Sequence, residues 1–192
     1  LRMLFLFFKN IFYMKQLFFI AALFSATLVQ AQVFIPTDEG SKLHFVIKNF
    51  AVNTGGDISG MEGRIIFDAS KPGAAGIDVK AKVSTIDTDN EKRDNHLKNE
   101  DFFDAEKYPD IRIQSTRITK GADLKRFNFS GNLTIKGKTK KISFPFTAEG
   151  KNGGALFTGN FEILRSDFGI GKESATMSDK VKVSLSVFAK AG

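Results

Sequence analysis

The sequence predicts an all-β fold of antiparallel strands, closed into a barrel or folded as a sandwich, with one short helical insert near residues 88–108. Three observations carry this expectation. Apolar and polar residues alternate with period two along most of the chain after Ala31, turn residues separate the alternating runs, and no long helical pattern intervenes. Such alternation marks strands with one apolar and one wet face, as in antiparallel sheet.

Taken in order, Leu43, Phe45 and Ile47 oppose Lys42, His44 and Lys48, and a turn is expected at Asn53-Thr54-Gly55-Gly56. After a second turn at Lys71-Pro72-Gly73, Ile77, Val79, Ala81 and Val83 oppose Asp78, Lys80, Lys82 and Ser84. Turns at Lys120-Gly121-Ala122-Asp123 and Lys136-Gly137-Lys138 bracket Phe127, Phe129, Leu133 and Ile135. The pattern recurs at Ile142, Phe144 and Phe146, then after Lys151-Asn152-Gly153-Gly154 at Phe157, Phe161 and Ile163, and finally at Val181, Val183, Leu185 and Val187. Pro145 has no N–H to give to a ladder, so it marks an edge or a bulge. In the insert, Thr88 with Glu91 reads as a capping box, Asn99 begins a second turn carrying Phe102 and Phe103, and Tyr108-Pro109 returns the chain to extended form.

Residues 1–31 read as a secretory signal peptide: no acid, Lys15, an apolar run from Leu17 to Leu28, and Val29-Gln30-Ala31 at the cleavage position. Met14 is the better start, which makes residues 1–13 an untranslated extension. A membrane anchor is the competing reading, although Lys9, Asn10, Lys15 and Gln16 interrupt the roughly 20-residue apolar stretch that a span requires. The expected location is therefore periplasmic or secreted. Removal of 31 from 192 residues leaves 161, one domain covering 32–192, and loss of Arg2, Lys9 and Lys15 lowers the net charge from +7 to +4.

The remaining cations are scattered along the strands, which argues against nucleic acid and leaves room for a transient contact with an anionic membrane surface. Cysteine is absent, so disulfides, thiolate chemistry and lipidation through Cys are excluded.

Alternation alone does not say which face points inward. A membrane barrel carries girdles of Trp and Tyr; here Trp is absent, Tyr108 is the one tyrosine after the leader, and fourteen of the 21 Phe follow it. The apolar face therefore points inward. A small barrel then either fills its interior with side chains or leaves room for one ligand.

Residues 88–115 contain Arg93, Asp94, His96 and Leu97, then Asp101-Phe102-Phe103-Asp104, then Tyr108-Pro109 leading to Ile111 and Ile113. With Gly60-Met61-Glu62-Gly63-Arg64-Ile65-Ile66-Phe67-Asp68, Gly131-Asn132-Leu133-Thr134-Ile135-Lys136-Gly137 and Arg165-Ser166-Asp167-Phe168-Gly169-Ile170-Gly171, this order of motifs resembles the YceI-like family of polyisoprenoid-binding proteins. The resemblance implies a lipocalin-like antiparallel barrel of about eight strands. It also implies a bound polyisoprenoid, or a similar amphiphile such as an isoprenoid quinone or a fatty-acid-like molecule, with no other cofactor. One departure is that many members have a His-Ser pair where this chain has Gly40-Ser41-Lys42, with His44 displaced.

On that reading the apolar lining comprises Phe45, Ile47, Ile65, Phe67, Ile86, Leu97, Phe102, Phe103, Ile111, Ile113, Phe144, Phe146, Phe161 and Phe168, with Arg93, His96 and Arg165 at the mouth near a polar head. Phe129, Leu133, Val183 and Leu185 are expected to be packed core. No catalytic residue and no metal site are expected, because His44 and His96 lack paired ligand spacing and no Gly-x-Ser-x-Gly occurs. The alternative function is an enzyme of small lipids or quinones using His96 and Asp94. A homodimer is compatible with the chain.

Overall fold

The computed structural model describes residues 32–192 except Leu124, so the expected leader at 1–31 lies outside the described residues. Ten strands follow in order: β1 (Gln32–Pro36), β2 (Lys42–Asn49), β3 (Val52–Ile58), β4 (Glu62–Phe67), β5 (Gly76–Lys82), β6 (Asp110–Lys120), β7 (Arg126–Ile135), β8 (Lys138–Lys151), β9 (Gly154–Leu164) and β10 (Met177–Ala191). Among the described residues there is one α-helix, α1 (Glu91–Lys98), and short 3-10 turns stand at Pro72–Ala74, Val83–Thr85 and Arg165–Phe168.

All pairings are antiparallel, and the sheet closes where β1 meets β10 through Phe34↔Ala191, Ile35↔Lys190 and Pro36↔Ala189. The ring β1-β4-β5-β6-β7-β8-β9-β10 has eight strands, and β2 and β3 extend two of its positions. β1 and β2 pair one after the other with β10, while β4 pairs with β1 and β3 with β2. Where both ladders break, the Asp38 carboxylate accepts the Gly60 and Met61 N–H groups at 2.9 and 3.0 Å, supplying the partners that the interrupted strands lack.

Two local expectations are corrected. The helix is capped by Asn90, whose side chain accepts from Arg93 N–H, and Thr88 instead gives both its N–H and its hydroxyl to Asp94. The β2–β3 turn falls at Phe50-Ala51, and Gly55 and Gly56 lie within β3. Gly56 is there for proximity: a Cβ on it would meet Thr88 at 2.6 Å and the Phe45 ring at 2.8 Å. At the turn itself, Phe50 and Ala51 hold φ of 51° and 62°, a left-handed conformation that costs a non-glycine residue about 1–3 kcal/mol.

Pro145 pairs with Asn128 of β7 but stands where the β8–β9 ladder ends, since that register runs only from Phe146↔Gly159 to Lys151↔Gly154. Between Lys138–Phe144 and Asn160–Leu164 the wall is thus not laddered. Phe168 fills the seam from inside, packed with Leu133, Ile135 and Ile170, and Lys140 pairs with Asp167 across it at 2.8 Å.

Half of the barrel is solid. Phe34, Ile65, Phe67, Phe127, Phe129, Phe144, Phe146 and Phe157 fill it as one buried cluster. Phe67 stands edge-on to Phe127, Phe146 and Phe157 with ring centroids 4.9, 6.1 and 5.5 Å away, a geometry that adds to plain area burial.

On the outer wall, hydrogen bonds from Arg112 hold the Asp78 carboxyl below its ordinary value. Asp110 is pushed upward by burial, but Lys82 and Lys80 outweigh this and leave it lowered. A depressed folded pKa means that the stabilisation is complete above the unfolded value, about 4, and is lost as pH falls through the folded value. Unfolding free energy should therefore decline with acidification below about pH 4, and Asp78→Asn should flatten that decline in denaturant titrations. Phe127, at 0% exposure, is the test of the packed half: Phe127→Ala should cost about 3–5 kcal/mol by urea unfolding.

Candidate functional site

The other half of the barrel is hollow. A cavity of about 180 Å³ lies between β2, β5, β6, β7, β9 and β10, under the insert that follows β5. A single water needs only ~10–15 Å³ on this measure, so the space is sized for a molecule rather than for one solvent. Its wall follows from strand periodicity: Leu43, Phe45 and Ile47 from β2, Ile111 and Ile113 from β6, Phe161 and Ile163 from β9, and Val181, Val183, Leu185 and Val187 from β10. These inward residues are apolar yet only half-buried, whereas Phe127 and Phe129 at the solid end are wholly buried. Along β10 the wall from Val181 to Val187 spans about 20 Å at ~3.3 Å per residue. Half the hydrocarbon core of a bilayer is ~15 Å thick, so the length suits an extended lipid tail.

Eight of the fourteen residues expected to line a cavity do so: Phe45, Ile47, Leu97, Phe102, Phe103, Ile111, Ile113 and Phe161. The other six do not. Ile65, Phe67, Phe144 and Phe146 belong to the solid end, Ile86 is buried with Ala81 and Val83 beneath the insert, and Phe168 plugs the seam. The reverse error occurs too. Val183 and Leu185, expected as packed core, face the cavity, whereas Phe129 is core and Leu133 is buried at 4% in the cluster around Phe168 while touching the cavity edge. Residues not singled out beforehand, Ile170 and Met177, join the wall from the loop before β10 and its first residue.

The insert is held by polar contacts that the sequence motif encodes. Arg93 donates from Nε to the Thr88 hydroxyl at 2.8 Å and from Nη2 to the Thr88 carbonyl at 2.6 Å, while Asp94 accepts from Thr88. This fixes the start of α1, so that Leu97, Phe102 and Phe103 close over the cavity. Gly137 helps at the far end, since at its φ of 70° a Cβ would stand 2.6 Å from the Tyr108 ring. His96 is exposed and meets Phe102 edge-on at 4.8 Å. Asp94 and His96 therefore serve different neighbours and do not form a pair, and Arg93 faces the Thr88 backbone rather than the cavity. His44, the displaced histidine, pairs with Asp57 across the β2–β3 ladder.

Arg165 is the charged group at the rim. It is 4% exposed and lines the cavity, and it donates from Nη1 to the carbonyls of Ile170 and Lys172 at 2.9 Å each and from Nε to Ser178 at 3.1 Å. Among the described residues no carboxylate lies within ion-pair distance of it. Asp179, nearby, is held below its ordinary pKa first by Ser166 and also by the charge of Arg165. One guanidinium thus ties the loop between β9 and β10 to the barrel. Arg165→Ala should leave several buried carbonyls unpartnered and lower stability by on the order of 3 kcal/mol, with new proteolytic cleavage between residues 171 and 177; intact resistance to protease would refute the role.

Comparison with known proteins agrees with this architecture. The YceI-like domain family matches residues 36–189. A UPF0312 protein of Azotobacter vinelandii is 34% identical over 138 residues, 69% of this chain and 71% of the relative. The crystal structure of Burkholderia cenocepacia BcnA superposes with a TM-score of 0.74 at 26% identity, covering 78% of this chain and 96% of BcnA. The Campylobacter jejuni YCEI protein gives a TM-score of 0.64 at 30% identity, covering 71% and 84%. A polyisoprenoid binding domain from Saccharophagus degradans shares the fold, with a TM-score of 0.66 at 14% identity over 85% of this chain and 99% of that one. With a barrel of this topology and a domain match over nearly all the described residues, the chain belongs to the YceI-like family.

Proposed function

We propose that the protein is an exported, non-catalytic lipid carrier of the periplasm or the secreted space, holding a polyisoprenoid or an isoprenoid quinone for storage or transport. The observation that carries this reading is the row of apolar, inward-facing and half-buried side chains above a phenylalanine-packed floor. An interior that stays unfilled although its wall is apolar is a site whose missing contacts a ligand would supply. The likeness of fold to a domain described as polyisoprenoid binding supports the same class.

The tail lies in the cavity, and the head lies at the rim near Arg165, whose hydrogen bonds go to carbonyls and which has no carboxylate within ion-pair distance among the described residues. Each five-carbon isoprene unit contributes up to ~4 kcal/mol at ~0.8 kcal/mol per carbon. Four units would contribute up to ~16 kcal/mol, which leaves the ~8 kcal/mol of a micromolar complex after an association cost of about the same size. No cofactor beyond the lipid enters the reading.

Mass spectrometry of organic extracts from protein purified out of its native envelope should show a stoichiometric polyprenyl or quinone species. Val183→Trp, which fills the hollow at the centre of β10, should lower that lipid content at least about tenfold while unfolding near the wild-type temperature. Lipid-free native protein, or lipid retained in full by the filled variant, would sink the proposal.

A further inference from the structure

The β2–β3 turn breaks a local rule that the other tight hairpins obey. A two-residue turn with left-handed φ at both positions favours Asn and Gly, and the β7–β8 and β8–β9 turns accordingly end in glycine, as Lys136-Gly137 and Asn152-Gly153. The β2–β3 turn instead holds Phe50 and Ala51 in that conformation, with Phe50 73% and the following Val52 64% exposed. A residue choice that costs both backbone energy and solubility, without packing in return, points to a surface used elsewhere.

Its position is specific. Phe50 N–H donates to the Thr176 carbonyl at 2.9 Å, and Asn49 pairs with Met177. Ile47 and Met177, on either side of that contact, both line the cavity. The tip therefore stands on the cavity rim, at the end away from the phenylalanine floor. Exposed Lys48 precedes it, and in the adjoining loop Lys172 stands 3.9 Å from Asp101 and is followed by exposed Glu173, so the surroundings of the tip carry both signs of charge.

We propose that Phe50, Ala51 and Val52 form a finger that inserts into the surface of a lipid bilayer, placing the cavity rim against the lipid source. This rests on the carrier reading, because a long apolar chain cannot cross water unaided to reach the cavity. A second protein copy fits the finger less well. A stable protein contact needs ~800 Å² on each side, and three adjacent side chains on a narrow turn offer much less, whereas a few exposed apolar residues suffice for shallow interfacial insertion.

The chain contains no Trp, so Phe50→Trp provides a single reporter. Its emission should shift to the blue with vesicles of phosphatidylcholine, with or without added phosphatidylglycerol. Phe50→Gly combined with Val52→Ser should reduce sedimentation with these vesicles at least about tenfold, without loss of thermal stability, since glycine relieves the left-handed turn. Val183→Trp should lose lipid cargo yet still bind vesicles, which separates this proposal from the carrier reading. Unshifted emission, undiminished sedimentation of the double variant, or a dimer that this variant dissolves would each overturn the finger.

Discussion

Edge-to-face packing of Phe67 against Phe127, Phe146 and Phe157 is the contact on which the rest of the barrel depends. β1 joins β10 through only three residue pairs, and those pairs lie directly over this aromatic floor, with Phe34 and Ala189 buried in the same cluster. Backbone hydrogen bonds alone add little net stability, because water offers the same bonds to the unfolded chain. The apolar area removed from water at the solid end offsets the order imposed on the whole ring. Only with one end packed to native density can the other end stay open without collapse.

The charged motif of residues 88–115 acts at one remove from the cavity. Thr88, Arg93 and Asp94 satisfy each other and the backbone at the start of α1, and this fixed geometry aims Leu97, Phe102 and Phe103 downward. Arg165 does the same for the loop before β10, which meets the insert where the Gly171 N–H donates to the Asp101 carbonyl at 2.9 Å. Polar residues thus position apolar ones, and the cavity itself asks for shape rather than for hydrogen bonds.

The strands and their inward faces were legible in the sequence because a period of two is imposed by the pleat and leaves a visible trace. Depth along the barrel leaves none. Phe67 and Phe161 have the same type and the same inward direction, yet one is floor and the other is wall, because the stagger between neighbouring strands sets their height. That stagger depends on pairings between distant segments. For the same reason Val183 and Leu185 could not be told from core. The misplaced β2–β3 turn has a different origin: Gly55-Gly56 carries turn chemistry, but its small size is needed where Thr88 crosses β3.

The seam beside Pro145 makes the wall of the barrel unequal in stiffness. In a fully laddered cylinder, any increase in girth would rupture backbone hydrogen bonds all along one interface. Here the stretch between β8 and β9 has already forgone them, and the two sides are joined through the stacked Phe144 and Phe161 rings, the Phe168 ring and the exposed Lys140–Asp167 pair. The hollow half can dilate at that line by sliding side chains past one another. The hollow half is therefore the more deformable part of the wall, while the aromatic floor keeps its shape.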